Sequence, residues 1–167
     1  RIAPAVAVVG LGSWIVAAPA PVLAAGERLL RVAFLDVGQG DAAIVQFPNG
    51  RTLGIDAGGL PGASFDMGAR VVSPAFWALG VRRLDYMSIS HGDDDHIGGA
   101  ASVFRDFVPR EVWEGVPVPP HKASQELRSL AAGAGATWRT LQPDDRVSFD
   151  AVDLFVRHPP PPDWERQ

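Results

Sequence analysis

Between the mostly apolar run Leu84 to Ile89 and the pair Gly98-Gly99, this sequence places two imidazoles and three carboxylates in six consecutive residues, His91-Gly92-Asp93-Asp94-Asp95-His96. A run of that character reads as a buried strand, and Gly98 to Phe107 carries its apolar residues at helical spacing. The polar segment is therefore a strand-to-helix turn, with both neighbours committed to a core. A strand that must be covered, followed at once by a helix that must cover something, is the unit of layered α/β domains.

The composition of the turn points to metal. Histidine nitrogen and aspartate oxygen are ligands for zinc, manganese or iron. In extended chain, residues two apart project to the same side, so His91 and Asp93 pair naturally on one ion, and the adjacent Asp95 and His96 on a second. Two divalent ions held roughly 4 Å apart lower the pKa of a bridging water and clamp a scissile phosphate or carbonyl. The competing reading is an Asp-rich cap on the helix that begins near Ile97, since carboxylates favour helix N-termini. Capping accounts for one Asp, but not for two flanking histidines.

The other segments extend the α/β pattern. Leu29 to Val37 reads as a strand closing on Asp36-Val37-Gly38-Gln39-Gly40-Asp41. Ala42 to Phe47 and Thr52 to Ile55 flank Pro48-Asn49-Gly50, whose Asn-Gly pair suits the positive φ angles of a tight hairpin. A three-stranded antiparallel start follows. Gly58 to Gly62 is a loop. Ala69 to Leu79 reads as one helix stopped by Gly80. Glu111 to Glu114 reads as a strand, Ser124 to Ala132 as a helix, and Thr137 to Leu141, Val147 to Phe149 and Val152 to Val156 as further strands. Pro159 to Pro162 then forces extended chain. The order of strands and helices suggests mixed sheets.

At 167 residues, with 47% hydrophobic and 20% charged residues, the chain suits one folded domain. The net charge of -4, with Lys122 the single lysine, excludes a broad cationic surface for nonspecific nucleic-acid binding. Without cysteine there are no disulfides and no thiolate metal sites. Residues 1–26 differ from the rest, because no charge occurs from Ile2 to Gly26. About 25 residues at ~1.5 Å rise reach across a bilayer, although Pro4, Pro19 and Pro21 limit an unbroken helix to Ala5 through Ala18. The readings are the end of a transmembrane helix, which we favour, a signal peptide, or a buried or interfacial helix. The chain opens on Arg1 and not Met, which suggests a piece of a longer polypeptide.

Secondary candidates have bland alternatives. Gln39 and Asp41 lie in a glycine-bearing turn whose amides suit an anionic substrate, or are turn residues only. Asp56, before Ala57-Gly58-Gly59, is at least a turn former. His158 and His121 read as loop histidines. Trp77, Trp113, Trp138 and Phe104 read as mostly core and not as base-stacking groups. Arg82, Arg83 and Arg105 steer phosphate or are solvated surface.

His91-x-Asp93-x-Asp95-His96 followed by Gly98-Gly99 resembles the signature of the metallo-β-lactamase superfamily. Together with Leu35-Asp36-Val37-Gly38-Gln39-Gly40-Asp41-Ala42, Ile55-Asp56-Ala57-Gly58, Asp66-x-Gly68 and Ser90-His91, the chain from Leu30 to Pro159 is similar to the soluble domain of the ComEC competence-protein family. The resemblance implies an αβ/βα sandwich of metallo-β-lactamase type with mixed sheets over 27–167, C-terminally incomplete. It also implies a hydrophobic N-terminal helix at 1–26 that ends a transmembrane segment. The implied activity is a nuclease acting on DNA during uptake, beside a channel domain of the same polypeptide at a bacterial inner membrane. His91 and Asp93 would bind one metal, Asp95 and His96 the other, with Asp95 also orienting the nucleophilic water and Asp56 orienting the metal loop from behind. Asp93 stands where most superfamily hydrolases have His, which moves preference from zinc toward manganese or magnesium. Later ligands of the superfamily do not appear before Gln167, so the resemblance implies that 1–167 is inactive alone. The alternatives are another hydrolase of this fold, acting on lactones, thioesters or β-lactams, and a non-catalytic DNA-binding or channel-associated module.

Overall fold

A computed structural model describes residues 29–62, 64–115 and 122–158. Residues 1–26, His121 and the prolines 159–162 lie outside the described residues. Among those described, no helix is long and apolar enough to cross a membrane.

Six strands form one sheet in sequence order: β1 (Arg31–Phe34), β2 (Ala43–Gln46), β3 (Thr52–Ile55), β4 (Tyr86–Ile89), β5 (Glu111–Glu114) and β6 (Thr137–Thr140). The first three are antiparallel, as their short connections require. From β3 onward the pairing is parallel, because helical crossovers return the chain to the same end each time. The sheet is thus mixed, as expected. A separate antiparallel pair, β7 (Arg146–Phe149) and β8 (Val152–Phe155), forms the second sheet.

The β2–β3 hairpin differs in one detail from expectation. Only Gly50 of the Asn-Gly pair takes a positive φ, 83°. The turn is a three-residue loop closed between Phe47 and Arg51, and the Asn49 side chain accepts the Arg51 N–H at 3.1 Å. A left-handed residue at the end of such a loop calls for glycine.

The helix expected over Ala69 to Leu79 is divided. Gly68–Val72 is a wide π-type turn, in which the Ser73 N–H reaches back to the Gly68 carbonyl, and α1 (Ser73–Ala78) follows with Pro74 in its first turn. Proline has no N–H to bond to the preceding turn, so it sits well only where helices begin. After β4 come the short α2 (Asp94–Ile97) and then α3 (Ala100–Phe107), and α4 (Lys122–Ala134) links β5 to β6.

Alternation along the strands divides the core in two. Met87 and Val112 face the helices, packing with Val72, Phe76, Val103, Phe107 and Leu127. Tyr86 and Trp113 face the other way, toward Phe47, Leu53 and Phe149. Phe149 of β7 stacks on Phe47 at 3.8 Å between ring centroids, which fastens the second sheet over the first. Trp113 and Phe104 are core as expected, whereas Trp77 is 40% exposed on α1.

Candidate metal centre

Strands β3 and β4 run side by side, so their C-terminal ends open at the same edge of the sheet, the place where open α/β sheets hold ligands. One more backbone bond, Asp56 N–H to the Ser88 carbonyl at 2.8 Å, carries the pairing past Ile55. There the chain turns sharply at Asp56, whose φ of 52° is left-handed. This is a strained setting for a residue that is only 4% exposed, and such strain persists where surrounding bonds over-determine it.

Those bonds are specific. Oδ1 of Asp56 accepts the Ser90 backbone N–H at 2.8 Å, and Oδ2 accepts the Ser90 hydroxyl at 2.7 Å. Oδ2 also lies 3.0 Å from Nδ1 of His96. Ser90 Oγ in turn lies 3.0 Å from Nδ1 of His91. The two imidazoles sit together, ring centroids 4.0 Å apart and tilted by 48°. With Nδ1 of each ring turned toward the sheet, Nε2 points outward: His91 Nε2 is 3.4 Å from Asp93 Oδ2, and His96 Nε2 is 4.0 Å from Asp95 Oδ2. The pairs expected from spacing, His91 with Asp93 and Asp95 with His96, are thus neighbours in space.

The ligand-rich segment is held by backbone contact. The Ala57 N–H donates to the His96 carbonyl at 2.8 Å, and the Gly99 N–H to the Gly58 carbonyl at 2.9 Å. Gly40, at φ 80°, has room for no side chain, since a Cβ there would stand 1.8 Å from the Asp95 carbonyl oxygen. Gly59 meets the Asp94 carbonyl in the same way, at 1.9 Å. Gly98 and Gly99 also leave no room for a side chain, a Cβ at each standing 2.4 Å from the carbonyl oxygen of Asp94 and of Ala57 respectively, so the Gly-Gly pair marks a helix start pressed onto neighbouring chain. The segment is also more helical than an extended loop, because Asp94 to Ile97 forms α2. Asp93 remains extended at the N-cap, yet its side chain makes no capping bond. The capping explanation for this carboxylate therefore has no contact behind it.

Electrostatics follow from the same geometry. Burial lowers the pKa of His96, but the hydrogen bond to Asp56 and the carboxylates of Asp56, Asp95 and Asp41 outweigh it and hold the pKa above the ordinary histidine value. Asp41 Oδ2 lies 3.9 Å from His96 Nδ1, with its side chain 76% exposed, and Gln39 is exposed in the same turn. Asp41 thus stands at the mouth of the site. As they stand, no three His, Asp or Glu side chains among the described residues converge closely enough to hold an ion. The donor chemistry nonetheless fits a divalent metal: two outward Nε2 atoms, each beside a carboxylate, with Nδ1 of each ring already engaged.

Other candidates go elsewhere. Arg82 and Arg83 precede β4 and so lie toward the opposite end of that strand. Arg105 is paired with Glu126. His158 lines a cavity of about 260 Å³ between the sheets with Ser90, Trp113 and Leu154. Two polar residues of this edge were given no role from sequence. Ser90, noted there only within the Ser90-His91 motif, holds the network. Glu114, buried at the end of β5, accepts from Trp138 Nε1 at 3.1 Å and pairs with Arg128. It lines a small cavity beside His91.

Residues 35–166 match the family model of the metallo-beta-lactamase superfamily. The chain is similar to ComE operon protein 3 of Bacillus subtilis (strain 168), 26% identical over 144 residues, covering 79% of this chain and 18% of that protein. It is also similar to competence protein ComA of Neisseria gonorrhoeae, 30% identical over 125 residues, covering 74% of this chain and 17% of the relative. The chain thus spans less than a fifth of each of these relatives. A solved structure described as a new diphosphatase from the PhnP family aligns at 17% identity and a TM-score of 0.39, over 69% of this chain and 42% of the other.

Proposed function

The chain belongs to the metallo-beta-lactamase superfamily, and from that premise we propose that it is the metal-dependent hydrolase domain of a competence-type membrane protein, cleaving phosphodiester bonds of DNA during uptake. The likeness to two competence proteins supports the setting. The single observation that carries the chemistry is the pair of buried Asp56 and the adjoining Ser90 hydroxyl, which engages both histidines through Nδ1 and leaves both Nε2 atoms beside carboxylates. Members of the superfamily generally bind divalent metals. Here His91 and Asp93 would hold one ion, and Asp95 and His96 the other.

A charge argument favours the same reading. Asp41, Asp56, Asp93, Asp94 and Asp95 crowd this edge, and no described Arg or Lys pairs with any of them. Such a cluster repels a phosphodiester unless cations intervene. What two divalent ions supply there is Lewis acidity, toward water and toward the scissile ester. Two carboxylates and two imidazoles offer hard and borderline donors, a set suited to manganese or zinc, with magnesium also accommodated. The residues do the remaining work. Asp95, in the first turn of α2 with its side chain 36% exposed, orients the attacking water and accepts its proton. Asp56 fixes the His96 ring from behind. Asp41, at the mouth, and Gln39, in the same turn, meet the substrate. We place DNA, the membrane and a channel region of the same polypeptide as partners, at a bacterial inner membrane.

The test uses the longest form of the protein that carries residues 1–167. Metal content by mass spectrometry is compared between wild type and the double variant Asp95→Ala, His96→Ala, each then incubated with labelled DNA. Two manganese or zinc ions per chain, lost together with cleavage in the variant, support the nuclease. Cleavage of a lactone, thioester or β-lactam in place of DNA keeps the enzyme class and removes the substrate. A folded protein that takes up no divalent metal overturns the proposal and leaves a binding module.

A further inference from the structure

A serine hydroxyl carries one proton and two lone pairs. Around Ser90 Oγ stand three partners: Asp56 Oδ2 at 2.7 Å, His91 Nδ1 at 3.0 Å and His96 Nδ1 at 3.4 Å. The shortest of these contacts is to a buried carboxylate, which accepts and cannot donate. The hydroxyl proton therefore goes to Asp56. His96 Nδ1 lies nearer to Asp56 Oδ2, at 3.0 Å, than to Ser90, and its proton goes to the same carboxylate. With its own proton spent, Ser90 Oγ can only accept from His91, so the proton of a neutral His91 ring must sit on Nδ1.

We infer that Ser90 is a positioning residue: its hydroxyl extends the reach of Asp56, so that one buried carboxylate sets the tautomer of both histidines, His96 directly and His91 by relay. Both rings then carry the proton on the sheet side and present a bare Nε2 lone pair toward Asp93 and Asp95. The inference rests on the metal reading above for its consequence, but not for its geometry. Asp56 reaches only one of the rings itself. Its partners are the Ser90 backbone N–H, the Ser90 hydroxyl and the His96 ring, and among the described residues the hydrogen bond to His91 Nδ1 comes from Ser90 Oγ. The backbone N–H of residue 90 donates to Asp56 whatever the side chain, so the hydroxyl can be removed while the strand end stays anchored.

Two measurements on the full chain test this. In protein freed of divalent ions by a chelator, at alkaline pH where both rings are neutral, long-range proton–nitrogen NMR correlations report which imidazole nitrogen bears the proton. Wild type is expected to show Nδ1–H on both rings. Ser90→Ala moves His91 toward Nε2–H and leaves His96 as it was, and Ser90→Thr, which keeps a hydroxyl, restores His91. The second measurement is titration with manganese or zinc, in which Ser90→Ala weakens one of two ions about ten- to a hundredfold and spares the other. Wild-type protein with Nε2–H on His91 overturns the relay, and so does a Ser90→Ala variant in which both rings change or neither does. If wild type binds no ion yet shows the expected tautomers, the relay stands and the hydrolase falls. If ions bind while His91 Nδ1 is bare, the hydrolase stands and the relay falls.

Discussion

His91 and His96 lie on the same short segment with their rings 4.0 Å apart, yet the protein grips them differently. The His96 side chain is 15% exposed and meets a buried carboxylate directly, and its backbone carbonyl is tied to Ala57. The His91 side chain is 32% exposed, its partner Asp93 is 63% exposed, and its link to the interior runs through a hydroxyl. The difference follows from local structure. Asp95 and His96 belong to α2, whose backbone is pressed against Gly40 and Gly59. His91 and Gly92 precede the helix. The centre thus has one end built into the scaffold and one end at its surface, and the rigid end can define the site before any ligand arrives.

That contrast can be broken most severely at its backbone. Gly40→Ala adds a Cβ 1.8 Å from the Asp95 carbonyl at a positive φ, so the loop or α2 must move. We expect roughly 4 kcal/mol of lost stability in denaturant unfolding, from overpacking and backbone strain together, and disorder of the His96 end in backbone NMR. A near-neutral result would mean that the two segments are not in contact in solution. Asp56→Ala comes next, at about 3 kcal/mol, because it removes the buried acceptor shared by the Ser90 backbone N–H, the Ser90 hydroxyl and the His96 ring. Asp56→Asn keeps the shape and one acceptor oxygen, and should lose about half as much.

Truncating the histidines themselves sharpens the comparison. In metal-free protein, His96→Ala is expected to lower stability by about 1.5 kcal/mol and His91→Ala by about 0.5 kcal/mol or less, as measured by urea midpoints. Equal losses would remove the distinction between a built-in end and a surface end. The smallest effect is a pH dependence of the metal-free protein. The pKa of His96 is raised in the folded state, so folding gains stability that is fully present below the ordinary histidine value and is lost as pH rises through the raised one. NMR titration should place His96 above an ordinary histidine, and Asp56→Asn should bring it down. An unshifted His96 would mean that Asp56, Asp95 and Asp41 do not outweigh burial.

Much of the frame could be read from residue order. The apolar run before His91, the Gly-Gly pair after it and the Pro48–Gly50 turn each mark a boundary by a local steric rule, and each boundary is present. The pairing of His91 with Asp93 and of Asp95 with His96 was also legible, since neighbours this close in sequence cannot travel far apart. Other features were not. The split at Ser73 in the helix expected over Ala69 to Leu79 goes with Gly68 lying against the backbone of Gly99, more than thirty positions later. Trp77 reads as core by composition, yet α1 turns it partly outward. Asp56 could be suspected as a turn former, but its partner Ser90 lies 34 residues on, brought beside it by parallel pairing of β3 and β4.

By itself, then, the sequence determined which elements form and which donor atoms collect at one turn, because chain connectivity and local sterics act over a few residues. Only the tertiary structure decided how those donors are aimed. Ring orientation and tautomer depend on a buried carboxylate and a hydroxyl that adjacent strands bring together, and hydrogen bonds of about 3 Å between distant residues exist only after the sheet has set their register.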